Sequence, residues 1–204
     1  MPTAGIAPRA ARIADLEAAP LLELLSLVPT GPEQLAALQI RPAATDGRVL
    51  LELADRALMA RIEADGDCAR PICIPRGPLA VLRRRHPNAE RLVLDQLEAG
   101  VGLRTFGPDA TVAMTVAEAA ALPELPLLAL PTKPSRTGGA ELPLLLDPVL
   151  LGRALEVLRR IGDGRVSLSP LDHEVVGVAL AIPPGACSLQ GSIQIARCVL
   201  PEAS

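Results

Sequence analysis

Few side chains in this sequence could do chemistry, and arginine dominates them. Arg83, Arg84 and Arg85 stand in a row, and Arg153, Arg159 and Arg160 recur along one Leu-rich stretch. A guanidinium stays charged at any physiological pH and presents a fork of N–H donors that suits phosphate oxygens. Arginines gathered on one face can therefore hold a nucleic-acid backbone without reading its bases. Nucleophilic catalysis finds less support. His86 and His173 are the only histidines, and Asp172-His173-Glu174 reads as a polar turn between strands rather than part of a triad. The cysteines Cys68, Cys73, Cys187 and Cys198 are spaced C-x4-C and C-x10-C, which is not zinc spacing, so they read as buried or idle thiols in a reduced, cytoplasmic setting. Gly162-Asp163-Gly164 and Thr137-Gly138-Gly139 lack the Lys and Ser/Thr that follow in a phosphate loop. Asp65 and Asp67 suggest a loop tip more than a magnesium site. No catalytic, metal or cofactor residues are expected, and the chain is not expected to be an enzyme.

Composition narrows the partners. Half of the 204 residues are hydrophobic, and the mean hydropathy is +0.34. A chain of this length buries roughly 70% of its unfolded surface. There is no Trp or Tyr and a single Phe, Phe106, so the core must be aliphatic, and base stacking on aromatic platforms is excluded. A net charge of −3 leaves room only for a local basic stripe. Proline and charges interrupt every apolar run before it reaches the ~18 residues of a membrane span, and residues 1–17 lack the apolar stretch of a signal peptide. A cytoplasmic protein with no membrane partner is expected.

The elements that would position the arginines recur in one order. Ala10 to Leu16 reads as a strand, Leu21 to Val28 as a short helix opened by Ala19-Pro20, and Leu35 to Arg41, Val49 to Ala54 and Leu58 to Glu63 as strands. Asp46-Gly47 suits a primed hairpin turn. Cys73 to Pro75 then starts the series again. A helix opened by Pro78 ends near Pro87, and strands follow at 91–97, 101–106 and 110–116. Residues 127–140, with Pro131, Pro134 and Gly138-Gly139, look like a linker. A third series begins with a strand at 141–146. Asp147-Pro148 is a strong helix start, and the helix Pro148 to Ile161 stops at Gly162, expected in left-handed conformation. Extended segments at 165–168, 175–182 and 192–200 follow. The result is a βαβββ repeat with a period of about 65 residues.

At 100° per residue, Leu151, Ala154, Leu155 and Leu158 fall on one side of the last helix, Arg153, Glu156 and Arg160 opposite, and Arg159 on the flank. On the helix from Pro78, Leu79 and Leu82 define the buried side and Arg84 points away, flanked by Arg83 and Arg85. The first helix offers only Glu23 and Ser26 to solvent, and its carboxylate would repel phosphate.

Ile74-Pro75, Leu79, Leu82, Pro87, Leu92, Leu94, Gly102-Leu103, Arg104 and the run Leu122-Pro123-Glu124-Leu125-Pro126 together resemble the repeating unit of bacterial sliding clamps, the beta-subunit type of polymerase processivity factor. Thr45-Asp46-Gly47-Arg48-Val49-Leu50-Leu51 before Ala54-Asp55 is similar to a second family segment, with Ala54 where Thr is usual. Leu150-Leu151, Ala154-Leu155, Leu158 and Val166-Ser167-Leu168 resemble the family's Leu-rich helix before an alternating strand. The resemblance implies an α+β fold of βαβββ repeats, antiparallel sheets with helices on one face. It implies a two-unit domain over 1–130 (units 10–70 and 71–126), a linker over 131–140, and a third unit, half a domain, over 141–204. It also implies a non-catalytic protein whose helices meet double-stranded DNA non-specifically through Arg83, Arg84, Arg85, Arg153, Arg159 and Arg160, and which recruits a polymerase or repair factor. A clamp-fold interaction scaffold that no longer encircles DNA is the alternative. Homo-oligomerisation through the third unit is expected, because half a domain leaves a sheet edge and a helix face unpaired.

Overall fold

The computed structural model describes residues 11–27, 37–54, 58–98, 100–108, 112–117, 146–162, 164–172, 176–183 and 188–196. Strand β1 (Arg12–Glu17) leads into helix α1 (Ala18–Leu24) and strands β2 (Ala37–Pro42), β3 (Arg48–Ala54) and β4 (Leu58–Cys68). The order then repeats as β5 (Ile72–Pro75), α2 (Arg76–Arg85), β6 (Arg91–Leu97), β7 (Gly100–Phe106) and β8 (Val112–Val116). A third set follows as α3 (Pro148–Ile161), β9 (Ser167–Asp172), β10 (Val176–Ala181) and β11 (Gly191–Ala196). The linker expected at 131–140 and most of the strand expected at 141–146 lie outside the described residues. Leu146 is described, and it packs half-buried against the core.

Among the described residues the architecture is α+β, with antiparallel sheets and three helices packed on them. Strands run in the order β5-β2-β3-β4-β1-β6-β7-β8. The leading strand of each of the first two units pairs in the sheet of the other, β1 with β6 and β5 with β2. Neither sheet is complete without the other unit. The third unit joins through β11, which runs antiparallel to β4 over Gly191–Ile195 and Leu58–Ile62. Alternation explains the layers: Leu58, Ala60, Ile62 and Ala64 of β4 are buried, and the residues between them face outward.

Several boundaries differ from the sequence expectation for identifiable reasons. Both α1 and α2 begin earlier than expected, so Pro20, expected just ahead of its helix, and Pro78, expected at the first position, each occupy the third. Proline is tolerated throughout a first turn because the N–H groups there have no intrahelical acceptor. Helix α3 has the expected bounds, and the Asp147 carboxylate accepts from the Val149 and Leu150 amides at 2.8 and 3.2 Å. Gly162, however, is extended at φ −91°, ψ −163°; its amide donates to Leu158 O at 2.8 Å, and positive φ falls instead on Gly164. The buried face of α3 is also rotated from the expected one. Val157 is buried at 1% exposure, whereas Leu155 is 38% exposed. In the β2–β3 hairpin the Thr45–Arg48 turn has positive φ only at Gly47 (+73°), its third residue, so the turn is not a primed type, which needs positive φ at the second. Asp65 and Asp67 belong to β4, not to a loop tip.

Candidate nucleic-acid interface

Leu79 and Leu82, both fully buried, fix α2 to the body of the protein, and the helix packs on β5. Its last turn consists of Arg83, Arg84 and Arg85, all exposed. No ion pair engages these three among the described residues. Three cations at the carbonyl end of a helix are also favoured by its partial negative charge, so they serve the helix whether or not they meet a ligand.

On α3 the arginines are arranged differently. Arg159 donates to both oxygens of Glu156, Nε to Oε2 at 3.0 Å and Nη2 to Oε1 at 2.9 Å. Arg160 Nε donates to Glu156 Oε1 at 2.9 Å, and its Nη1 reaches across to Glu23 of α1 at 3.1 and 3.3 Å. Hydrogen bonds from Arg159 and then Arg160 hold the Glu156 carboxyl far below its ordinary value, at about 2. Glu23 therefore does not stand alone on α1, as the sequence suggested; it ties α1 to α3, and the two helices touch. Arg153 is exposed and has no ion pair among the described residues. The α1–α3 cluster sets three arginines against two carboxylates, leaving one net positive charge.

The arginines of the sheets are all matched where an ion pair is described. Arg41 and Arg61 flank Glu52, each with Nε at 2.7 Å from a carboxylate oxygen. Burial works against the Glu52 charge, yet the Arg41 hydrogen bond and the Arg61 charge outweigh it and hold its pKa down. Arg12 and Arg91 share Asp15, Arg48 meets Asp65, and Arg104 meets Asp95. Arg83, Arg84, Arg85 and Arg153, on helices, stand apart from this pattern. Two groups result, one on α2 and one on α3.

Sequence reasoning missed the parts played by Glu156 and Glu23. The first was legible, since Glu156 precedes Arg159 and Arg160 by three and four residues, the spacing that brings helical side chains together. The second joins residues 137 positions apart, and no local pattern announces it. Among the described residues no group of His, Cys, Asp and Glu could hold a metal ion, and no helix is long and apolar enough to cross a membrane. Cys68 is half-buried, with its thiol donating to Arg70 O at 2.9 Å, and burial pushes its pKa up, so it is a poor nucleophile. Cys187, Cys198 and His173 lie outside the described residues.

A βαβββ unit repeated with exchange of leading strands is the observation that bears on kinship. The chain is similar to sliding clamps. The proliferating cellular nuclear antigen of Entamoeba histolytica is 14% identical over 94% of this chain and 78% of its own, with a TM-score of 0.41. A PCNA2–PCNA3 complex from Sulfolobus tokodaii gives 9% identity, 91% and 98% coverage and a TM-score of 0.49. The DNA polymerase sliding clamp of Pseudomonas aeruginosa gives 11%, 98% and 69%, and 0.43. None reaches a TM-score of 0.5. No protein-family model matches the chain, and no curated protein does.

Proposed function

We propose that this protein is a clamp-like, non-catalytic tether that contacts duplex DNA through helix arginines, without sequence preference, and recruits a polymerase or repair factor. The observation that carries the reading is the contrast between the sheet arginines that carboxylates neutralise and the exposed Arg83, Arg84, Arg85 and Arg153, which no carboxylate neutralises among the described residues. Cations left unmatched on a chain of net charge −3 are available to phosphate. Arg159 and Arg160 are available only in competition with Glu156 and Glu23. A tether that moves along DNA requires contacts of this sequence-blind kind.

The test is fluorescence anisotropy of a labelled duplex across a salt series. Each phosphate neutralised contributes about −0.9 to the slope of log K against log salt. Replacing Arg83, Arg84 and Arg85 with Ala should flatten that slope by about 2 to 3 if each meets one phosphate, and Arg153→Ala by about 1. Binding that is unchanged in both variants would overturn the assigned face. The Arg160–Glu23 ion pair favours a second reading, an assembly scaffold of the same fold, and wild-type protein that shows no duplex binding even at low salt would select it.

A further inference from the structure

A cavity of about 140 Å³ lies where α2 hands over to β6. Arg85, His86, Pro87 and Asn88 line it on the helix side, and Gly107 and Pro108, which follow β7, line it opposite. Backbone hydrogen bonds fix both walls. The His86 amide donates to Leu82 O at 2.8 Å, the Ala89 amide to His86 O at 3.3 Å and the Glu90 amide to Phe106 O at 2.8 Å. Pro87 and Pro108 stiffen the rim, because their rings fix φ. The walls come together at one end, where a Cβ added to Gly107 would stand 3.0 Å from Asn88 O and 3.3 Å from Ala89 Cα. The hollow is therefore framed by paired backbone rather than by loose side chains.

Size limits what can enter. Sites for whole small molecules begin near 300 Å³. Liquid water takes about 30 Å³ per molecule, so this space holds about four to five water volumes, the room of a single head group. Charge limits it further. None of the described residues lining the cavity is acidic, and Arg83 and Arg84 stand beside Arg85 in the last turn of α2. Three full positive charges outweigh the roughly half negative charge at the carbonyl end of a helix, so the cavity suits an anion. Its donors are of three kinds. Arg85 brings a guanidinium fork, Asn88 an amide NH₂, and His86 at least one ring N–H in either tautomer. A carboxylate offers two oxygens to such a set, and a phosphoryl group offers three with up to twice the charge.

We propose that this cavity is a seat for one phosphoryl group, held by Arg85, His86 and Asn88. His86 and Asn88 lie outside the helix face that the arginines form, and the seat differs from that face in kind. A row of exposed arginines attracts any polyanion diffusely, whereas a framed hollow binds one group at a time and saturates. The phosphoryl group comes either from a nucleic-acid strand or from a free phosphate compound.

Amide shifts of the ¹⁵N-labelled full chain, titrated with inorganic phosphate and with methyl phosphate while chloride holds the ionic strength constant, test the proposal. Saturable shifts at His86, Asn88, Ala89 and Gly107 are expected. Asn88→Ala should weaken phosphate about tenfold, as loss of a hydrogen bond to a charged group does, and Arg85→Lys should weaken it less than Arg85→Ala. Asn88 is exposed, so the far-UV circular dichroism of its variant should match wild type. Shifts that never saturate, an affinity unchanged in Asn88→Ala and Arg85→Ala, or acetate bound as tightly as phosphate would each overturn the proposal. A duplex added to a second sample separates the two sources. Shifts at the same amides support a strand phosphate in the seat; amides that stay still with duplex yet saturate with inorganic phosphate support a free phosphate compound. The first titration contains no DNA, so failure of the seat and failure of duplex binding are read apart.

Discussion

Glu156 sets the charge that α3 presents. Its carboxylate accepts from two arginines, and its pKa of about 2 lies below the ordinary 4.5. The sign of the pH effect follows. A group held more acidic in the folded state contributes stability that is whole above its unfolded pKa and is lost as pH falls through the folded one. The advantage of wild type over Glu156→Gln in thermal midpoint should therefore be present at pH 7, shrink below about pH 4.5, and vanish near the pH at which Glu156 itself protonates. A difference independent of pH would mean that the side chain acts through packing rather than charge. The same variant should strengthen duplex binding at low salt, because it releases Arg159. What was legible at this scale was spacing. The three-residue and four-residue separations from Glu156 to its arginines are local, whereas the Glu23 contact depends on α1 lying beside α3, a tertiary fact. Leu155 and Val157 show the same limit, since both are apolar and only the packed sheet decides which one is covered.

Gly66 is the position on which the meeting of β4 with β1 depends. It is opposite Leu16, its φ is +153°, and a Cβ there would stand 2.5 Å from Asp15 O and 2.6 Å from Leu16 Cα. Both obstacles are backbone and cannot swing aside. Gly66→Ala should cost about 1–3 kcal/mol for the backbone conformation alone, with a further loss as β1 is forced from β4. Gly47→Ala gives the control, because Gly47 also has positive φ but has nothing within 4 Å of a Cβ. Urea unfolding of the two variants should show the larger loss at Gly66; equal losses would remove the role of close approach. The sequence hid this junction. Ala64-Asp65-Gly66-Asp67 reads as a turn because its polar and glycine residues mimic one, and the strand that holds it extended is β1, more than forty residues earlier. Helix α3 and strand β6 were legible to the residue, the helix because Asp147-Pro148 and Gly162 mark its ends. The starts of α1 and α2 were less so, because proline marks a first turn without fixing the place within it.

At the scale of the whole molecule the question is whether the third unit folds with the others or only docks on them. One continuous core answers that it folds with them. Ala154, Val157, Leu158, Leu180 and Ile193 belong to the same buried cluster as Leu16, Leu51 and Leu94. The β4–β11 seam is tight, with a Cβ built at Gly191 lying 3.3 Å from Ile182 Cδ1 and 3.5 Å from Ile62 Cγ1. The sequence showed three units but not which edge the third would take, because any antiparallel edge satisfies an alternating strand and only side-chain fit selects β4. Ile193 is central to that fit, opposite Ala60 and fully buried. Ile193→Ala should cost about 2–5 kcal/mol, the usual loss for truncating a buried aliphatic. A single cooperative unit should lose that stability in one transition, with calorimetric and van't Hoff enthalpies in agreement. Two transitions, of which the mutation moves only one, would instead make the seam a docking surface between separately folding parts. In that case the charge balance between α1 and α3 would be set by how often they dock, and duplex binding through Arg153 would vary with it.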